Sequence, residues 1–225
     1  MNSIQLTAAG ITKSFERRPV LRNVSFDLTS PDSLAVTGKN GAGKSTLSKI
    51  LLGLIRPSGG SIAYAVDGRN IDGEEFKQHA GFVSPYLNMY DEFSAVENLR
   101  ILARIRGKSV PDAAVLQDVL RRVDLWHRKD DAVGTYSSGM KQRLKYAFAL
   151  LHRPAMLVLD EPTSNLDADG VAMVERIAKE QKMNGILIIA TNNPEEAGWC
   201  SRQILVGPGE DGEGSAMIRQ DGGAR

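Results

Sequence analysis

Apolar and polar residues follow two different periods along this chain, and stretches of each period succeed one another. Short apolar runs of strand length, typical of buried strands, occupy residues 4–8, 20–28, 34–37, 61–66, 80–83, 155–160, 186–190 and 203–206. Apolar residues at helical spacing occupy residues 45–54, 139–151, 168–183 and 195–200. This succession predicts an α/β fold. The continuous run at 155–160 is expected for a strand that is buried on both faces of a parallel sheet.

One stretch breaks the succession. Residues 95–126 have purely helical spacing, and Pro111 is predicted to open the second helix there. We expect an all-helical insertion at about residues 95–135, within one domain that spans residues 1–225. Residues 207–214 are rich in glycine and acids, so a mobile turn and a flexible tail over 207–225 are expected.

A glycine-rich segment joins the run at 34–37 to the helix that follows it. Glycines there allow the backbone N–H groups to turn toward phosphate oxygens, and the new helix adds its positive end. Lys44 is placed to reach the β- and γ-phosphates, and the Ser45 hydroxyl to ligate Mg²⁺. The alternative is a glycine-rich turn that matches this phosphate-loop pattern by chance. The candidate nucleotide contacts are Gly38, Asn40, Gly41, Ala42, Gly43, Lys44, Ser45 and Thr46.

Two acids end the apolar run at 155–160. An acid at the carboxyl end of a parallel strand faces the crevice in which α/β proteins bind ligands. Asp160 therefore suits Mg²⁺ coordination, and Glu161 suits a general base that orients an attacking water. Taken alone, such a pair is more often two surface acids after a core strand. The phosphate loop upstream makes the functional interpretation the better one.

Two further segments flank this strand. Tyr136-Ser137-Ser138-Gly139-Met140 opens the preceding helix, and Ser164-Asn165-Leu166-Asp167 follows the two acids. Together with the phosphate loop, this order resembles the ABC (ATP-binding cassette) ATPases over residues 4–206. The resemblance implies a P-loop NTPase core with a mostly parallel sheet, an N-terminal antiparallel β subdomain and an inserted helical subdomain.

The resemblance also assigns roles to residues. Ser137 and Gly139 match the family's signature motif, which contacts the ATP of a partner cassette, whereas Tyr136, Ser138 and Met140 depart from its commonest form. The 164–167 segment is similar to the loop that lines the dimer seam. Phe15 takes the place of the aromatic residue that stacks on adenine, and a core position is the alternative for it. ATP and Mg²⁺ are the implied cofactors.

Two positions depart from the family pattern where it contacts the reacting phosphate. Pro85 stands where a glutamine is usual and offers neither a side-chain ligand nor an N–H. Asn192 stands where a histidine is usual; its amide can donate a hydrogen bond but cannot become cationic. Losing one positioned contact to a transferring phosphate costs roughly a hundred- to thousandfold in rate by analogy with oxyanion donors. We therefore predict good ATP binding with slow hydrolysis, and ordinary turnover if Asn192 is an adequate replacement.

The composition limits the kinds of partner that we expect this protein to bind. The net charge of +1 gives no electrostatic reason to expect a nucleic acid, and the apolar runs are too short to cross a bilayer. A single cysteine, Cys200, fits a reducing compartment. We expect a cytoplasmic, peripheral subunit on the inner face of the membrane that pairs with a separate integral membrane transporter subunit. It would form a homodimer or a heterodimer with a second cassette.

An aromatic-rich segment at residues 86–93 supports the transporter interpretation, because exposed aromatic and Met side chains suit an interface. Packing of the helical insertion onto the sheet is the simpler alternative for them. A soluble ABC ATPase acting on DNA or the ribosome is disfavoured by charge and by architecture. An ATP-gated clamp with slow turnover stays open as the alternative function.

Overall fold

The computed structural model describes residues 3–207 and the backbone of residues 217–220. The strands are β1 (Ile4–Phe15), β2 (Arg18–Thr29), β3 (Asp32–Thr37), β4 (Gly59–Val66), β5 (Arg69–Ile71), β6 (Ala80–Val83), β7 (Met156–Asp160), β8 (Ile186–Thr191), β9 (Arg202–Leu205) and β10 (Met217–Gln220). The α-helices are α1 (Lys44–Leu51), α2 (Gly73–Phe76), α3 (Ala95–Ile105), α4 (Ala113–Arg122), α5 (Ser138–Leu150), α6 (Ala168–Asn184) and α7 (Pro194–Ala197). Short 3₁₀ turns lie at Lys77–His79, Trp126–Arg128 and Val133–Thr135.

The central sheet has the strand order β10-β9-β3-β8-β7-β6, and its strands are parallel except for β10. Strands β3, β8, β7 and β6 are therefore direct neighbours, and their carboxyl ends lie on one edge of the sheet. The segments that follow these ends are the phosphate loop, Asn192, the two acids and Pro85. The topology alone gathers the predicted site at this edge, as the switch-point rule for open α/β sheets requires.

A second sheet is antiparallel and has the order β2-β1-β4-β5. Strands β1 and β2 form a hairpin whose two turn residues, Glu16 and Arg17, both have positive φ, at 47° and 66°. Two consecutive residues with positive φ make the primed turn that matches the twist of a hairpin. Phe15 pairs with Arg18 at the tip of this hairpin. The turn thus places Phe15 at the end of a long ribbon and away from the core.

The central sheet separates two apolar cores, as strands buried on both faces should. In β7, Met156 and Val158 join the core under the antiparallel sheet and α1, whereas Leu157 and Leu159 join the core formed with the helices. The helical insertion packs on this second core through residues such as Leu99. Helix α3 begins with a capping box in which Ser94 and Glu97 exchange hydrogen bonds. The backbone N–H groups of these two residues therefore have hydrogen-bond partners.

The predicted elements differ from the observed ones mainly at their ends. The helix expected to reach residue 54 ends at Leu51, because Gly53 takes a φ of 65° two residues later. Strand β1 continues to Phe15, well past residue 8, through irregularities of its pairing with β2. Asp112, and not Pro111, caps α4, since its side chain accepts from the N–H of Val115. The short elements β5 and α2 carry too few residues to show a period.

The C-terminal expectation needs a correction. Within the predicted flexible tail, Met217–Gln220 form a strand that pairs antiparallel with β9. This strand lies beyond the glycine- and acid-rich residues on which the expectation was based, and its backbone pairs with the edge strand β9. Residues 208–216 and 221–225, on which the rest of that prediction falls, lie outside the described residues.

Candidate nucleotide-binding and catalytic site

The phosphate loop curls directly from the end of β3 into α1. Lys44 is buried, and its Nζ donates to the carbonyl oxygens of Gly38 at 2.9 Å and Lys39 at 3.2 Å. The ammonium therefore lies folded over the loop and not out in solvent. A lysine whose charge is held in this concavity, beside the start of a helix, is suited to bind phosphate oxygens.

Gly38 is the glycine that the loop geometry requires most strictly. Its φ is 148°, and a Cβ there would lie 2.3 Å from the carbonyl oxygen of Val206. The chain therefore passes the end of β9 with no room for a side chain. Gly41 differs, since a Cβ on it would meet nothing within 4 Å.

Ser45 and Asp160 meet at the base of the loop. The Ser45 Oγ donates to Asp160 Oδ1 at 3.0 Å, and Asp160 is 1% exposed. Its other oxygen, Oδ2, is buried and has no hydrogen-bond partner among the described residues. Burial raises the pKa of this carboxyl, and the hydrogen bond from Ser45 acts in the opposite direction. A hydroxyl and an incompletely satisfied carboxylate are hard oxygen donors of the kind that Mg²⁺ prefers, so the pair fits this ion.

Glu161 turns out of the strand that Asp160 ends. Its φ is 49°, and its N–H donates to the carbonyl of Ala190 on the neighbouring β8 at 2.9 Å. A left-handed conformation at a residue other than glycine costs about 1–3 kcal/mol and occurs where the surroundings enforce it. Tyr146 contributes to this enforcement, because its buried hydroxyl donates to the carbonyl of Pro162 at 2.7 Å. The strained turn directs Glu161 into the cleft beside the phosphate loop.

That cleft has a volume of about 490 Å³ and joins the hairpin tip to the phosphate loop. Phe15 lies at one end with 48% of its surface exposed, and the Lys13 ammonium lies 4.9 Å from its ring centroid. The exposure excludes the alternative that Phe15 is a core residue. The cleft is lined by Phe15, Val20, Asn40, Gly41, Gly43, Lys44, Ser45, Thr46, Tyr86 and Glu161. Most of the predicted contacts, with Ala42 and Gly38 in the same loop, are therefore brought together.

Asn192 follows β8 and reaches the phosphate loop from the other side. Its Nδ2 donates to the Oδ1 of Asn40 at 3.0 Å, and both residues line a second cleft of about 710 Å³. Pro85 lies after β6, where its carbonyl accepts from the Lys145 Nζ at 2.9 Å. Its neighbour Tyr86 is 75% exposed and lines the first cleft.

Ser137 and Gly139 lie elsewhere, and neither is part of either cleft that the phosphate loop lines. Ser137 caps α5 by accepting from the N–H of Met140 at 3.2 Å. Gly139 packs against the loop at 164–167, where a Cβ would lie 3.3 Å from the carbonyl oxygen of Asn165. Arg143 on the same helix donates to Asp167 at 3.0 Å, which ties the signature helix to that loop.

Sequence reasoning missed the buried groups that support the acids. Tyr146 and Glu196 contact the segment directly after Glu161, yet neither belongs to a recognisable motif. The available signal was weak: position 196 lies in a segment predicted to be helical, but nothing local distinguishes its acid from the exposed acid at 195. Only the packing shows that its carboxylate is buried.

Comparison with known proteins agrees with the family resemblance that the residues of this site suggested. The model of the family described as "ABC transporter" matches residues 21–164. The lipoprotein-releasing system ATP-binding protein LolD of Coxiella burnetii is 36% identical over 205 residues, which cover 86% of this chain and 87% of that protein. The Nod factor export ATP-binding protein I of Rhizobium sp. (strain N33) is 32% identical and covers 98% of this chain and 74% of that one. These two proteins and six further curated relatives are matched over 66% to 96% of their own length.

Among solved structures, the ATP-binding cassette MJ0796 in a dimeric post-hydrolysis state with ADP and Pi superposes with a TM-score of 0.82. It is 21% identical, and the match covers 97% of this chain and all of that chain. At that identity the likeness supports the fold. The chain belongs to the ABC transporter family, and it is an ATP-binding ATPase subunit of that family. The predicted fold class, family and enzyme class are confirmed.

Proposed function

We propose that this chain is the ATP-hydrolysing subunit of an ABC transporter, which dimerises around Mg-ATP and drives a separate integral membrane subunit. The observation that carries the proposal is the meeting of three strand ends, those of β3, β8 and β7, at one sheet edge. They bring the phosphate loop, Asp160, Glu161 and Asn192 together beside the exposed Phe15.

Nucleotide binding is assigned to the first cleft. Phe15 offers an exposed aromatic face for adenine, and stacking of this kind needs only a π-face. The loop from Gly38 to Ser45 offers N–H groups and the Lys44 ammonium for the phosphates. Thr46 follows in the first turn of α1 and lines the same cleft. The hairpin tip and the loop together thus supply an apolar end and an anion-binding end.

Ser45 and Asp160 would hold the magnesium ion. The buried Asp160 Oδ2, which has no partner among the described residues, and the adjacent Ser45 hydroxyl support this assignment. A bound Mg²⁺ supplies charge that stabilises the negative phosphate oxygens as the terminal phosphate is transferred. The buried carboxylate also gains a counter-charge in this way, which offsets the cost of its burial.

Glu161 is assigned as the general base that accepts a proton from the attacking water, because its backbone turns it into the cleft. Asn192 is assigned as a hydrogen-bond donor to the terminal phosphate. Its amide already reaches the loop at Asn40, so a phosphate seated in the loop lies within reach. The catalytic set is then Glu161, Lys44 and Asn192.

Ser137 and Gly139 complete the site in trans. They line neither phosphate-loop cleft of their own chain, and Ser137 sits at the start of a helix of 13 residues, where an anion is favoured. In a dimer, each signature helix would face the ATP of the other cassette. The partner cassette is a second copy of this chain or a different ABC subunit.

The membrane partner is assigned to a groove between the helical insertion and the sheet. This groove, of about 420 Å³, is lined largely by apolar side chains such as Leu54, Leu87, Ile105 and Phe148. Leu54 is 51% exposed and Ile105 is 66% exposed, so apolar surface is available for an incoming segment. Leu87 belongs to the aromatic-rich segment that the sequence indicated.

No helix in the described part of the chain combines the length and the apolar character needed to span a bilayer. The membrane-spanning part of the proposed transporter is assigned to the separate subunit. The chain itself would be cytoplasmic and peripheral, on the inner face of the membrane.

Pro85 and Asn192 favour one alternative, a clamp that binds ATP well and turns it over slowly. Pro85 supplies no side-chain donor, and the Asn192 amide is neutral. The test is steady-state ATP hydrolysis by the purified chain and by Glu161→Gln, with the molecular size followed with and without Mg-ATP. Robust hydrolysis that is lost in the variant supports the transporter ATPase. Dimerisation by ATP with little hydrolysis supports the clamp, and no ATP-dependent dimer in either protein contradicts both.

A further inference from the structure

A buried carboxylate bridges the two catalytic strand ends. Glu196 on α7 is 4% exposed, and each of its oxygens accepts a hydrogen bond from a threonine hydroxyl. Thr163 donates to Oε1, and Thr191 donates to Oε2. Thr163 lies two residues after Glu161, and Thr191 lies one residue before Asn192. One side chain thus connects the segments that carry the proposed base and the proposed phosphate contact.

Further hydrogen bonds hold the chain at both ends of this bridge. The Thr191 hydroxyl also accepts from the N–H of Asn193 at 2.9 Å, so it holds the turn that contains Asn192. On the other side, the Tyr146 hydroxyl fixes the carbonyl of Pro162 next to Thr163. Burial raises the pKa of Tyr146 well above its usual range, and the negative Glu196 adds to the effect. Both segments are therefore held at hydroxyl groups close to the reacting centre.

Packing alone does not explain a carboxylate in this place. None of the ion pairs in residues 3–207 includes Glu196, so its charge is stabilised by hydroxyl donors only. An unpaired buried charge is costly, and an apolar or amide side chain would fill the same space at lower cost. What the carboxylate offers is two strong acceptors that fix two donors at once.

We propose that Glu196 is a positioning residue that holds Glu161 and Asn192 in the mutual geometry required for ATP hydrolysis. The inference rests on the roles proposed above for these two residues. Glu196 lines neither of the phosphate-loop clefts, so it acts through the two threonines. The bridge should therefore matter for the hydrolytic step and not for nucleotide affinity.

The first test compares Glu196→Gln with Glu195→Gln, a neighbouring acid whose side chain is exposed. The single-turnover rate constant of ATP hydrolysis and the ATP dissociation constant are measured for both, because single-turnover rates remain measurable when turnover is slow. A shift of about 1 Å in a reacting group costs on the order of a hundredfold in rate. We expect the rate constant of Glu196→Gln to fall about ten- to a hundredfold, with unchanged ATP affinity and stoichiometry, and that of Glu195→Gln to stay at the wild-type value.

The second test separates the hydroxyl bridge from packing. Thr163→Val and Thr191→Val keep the shape and remove the donor, whereas Thr163→Ser and Thr191→Ser keep the donor. We expect the Ser variants to hydrolyse ATP within about threefold of wild type and the Val variants to lose about tenfold or more. Each Val substitution should cost less in the Glu196→Gln background, since contacts that act together are not additive.

The inference is overturned if the Ser and Val variants are equally impaired, or if Glu196→Gln hydrolyses like Glu195→Gln. It is also overturned if the variants lose ATP affinity in proportion to rate while the binding stoichiometry is kept, since the bridge would then act on nucleotide binding and not on the hydrolytic step. Glu161→Gln in the same assay distinguishes a failure of the proposed function from a failure of this inference. Wild-type hydrolysis by Glu161→Gln refutes the proposed base and this inference together, whereas its loss with an unaffected Glu196→Gln refutes this inference alone.

Discussion

Substituting Gly38 by alanine tests whether the phosphate loop is as tightly constrained as the structure shows. The φ of 148° at Gly38 is unfavourable for any residue with a side chain, at a cost of about 1–3 kcal/mol. The new Cβ would also lie 2.3 Å from the carbonyl oxygen of Val206. That carbonyl cannot move easily, because the N–H of Val206 donates to the carbonyl of Thr37 at 2.8 Å.

Such an overlap typically costs about 1–3 kcal/mol more, so Gly38→Ala should lower the free energy of unfolding by roughly 2–6 kcal/mol. Gly41→Ala is the matched control. Its φ is 80°, yet its Cβ would have no heavy atom within 4 Å, so only the backbone strain of about 1–3 kcal/mol applies. The two variants therefore differ by the overlap with Val206.

Urea denaturation without nucleotide, with linear extrapolation to water, gives both free energies. The expected result is a larger loss in Gly38→Ala than in Gly41→Ala, by about 1–3 kcal/mol. Equal losses in the two variants would refute the reasoning, because they would show that the approach of β9 to the loop does not exclude a side chain. A loss in Gly41→Ala greater than that in Gly38→Ala would refute it as well.

Three further predictions concern the metal site, a buried tyrosine and a buried histidine. Asp160→Asn should lower Mg²⁺-dependent ATP hydrolysis by about a hundredfold or more, because a bound metal contributes several kcal/mol to the stabilisation of the transition state. A Mg²⁺ titration of the rate checks this, and an unchanged Mg²⁺ dependence contradicts it. Tyr146→Phe should lower the free energy of unfolding by about 1–3 kcal/mol, because the substitution leaves the buried carbonyl of Pro162 without its donor. Urea denaturation measures this loss, and an unchanged stability argues against the contact. Burial and the nearby Arg106 lower the pKa of His152 from 6.5 to about 4, so the folded protein binds fewer protons than the unfolded chain between these values. Stability should therefore fall as the pH drops through this window, by about 2 kcal/mol between pH 7 and pH 5, and His152→Gln should remove most of that dependence in urea titrations at both pH values.

The sequence by itself determined the fold class and most of the cleft. The glycine spacing at 38–45 and the acids that end the 155–160 run can be recognised from the local sequence. Each motif directly follows an apolar run that predicts a strand. Their order along the chain was sufficient to identify the family. The apolar periods located the main strands, because burial on one or both faces leaves a direct mark on composition.

Only the tertiary structure decided which features depend on contacts between distant segments. Strand β10 comes from its pairing with β9. The bond between Asn192 and Asn40 joins residues 152 positions apart, and the bridge at Glu196 joins the ends of two strands. Such contacts leave no period in the sequence, because what fixes them is the neighbouring strand and not the local chain.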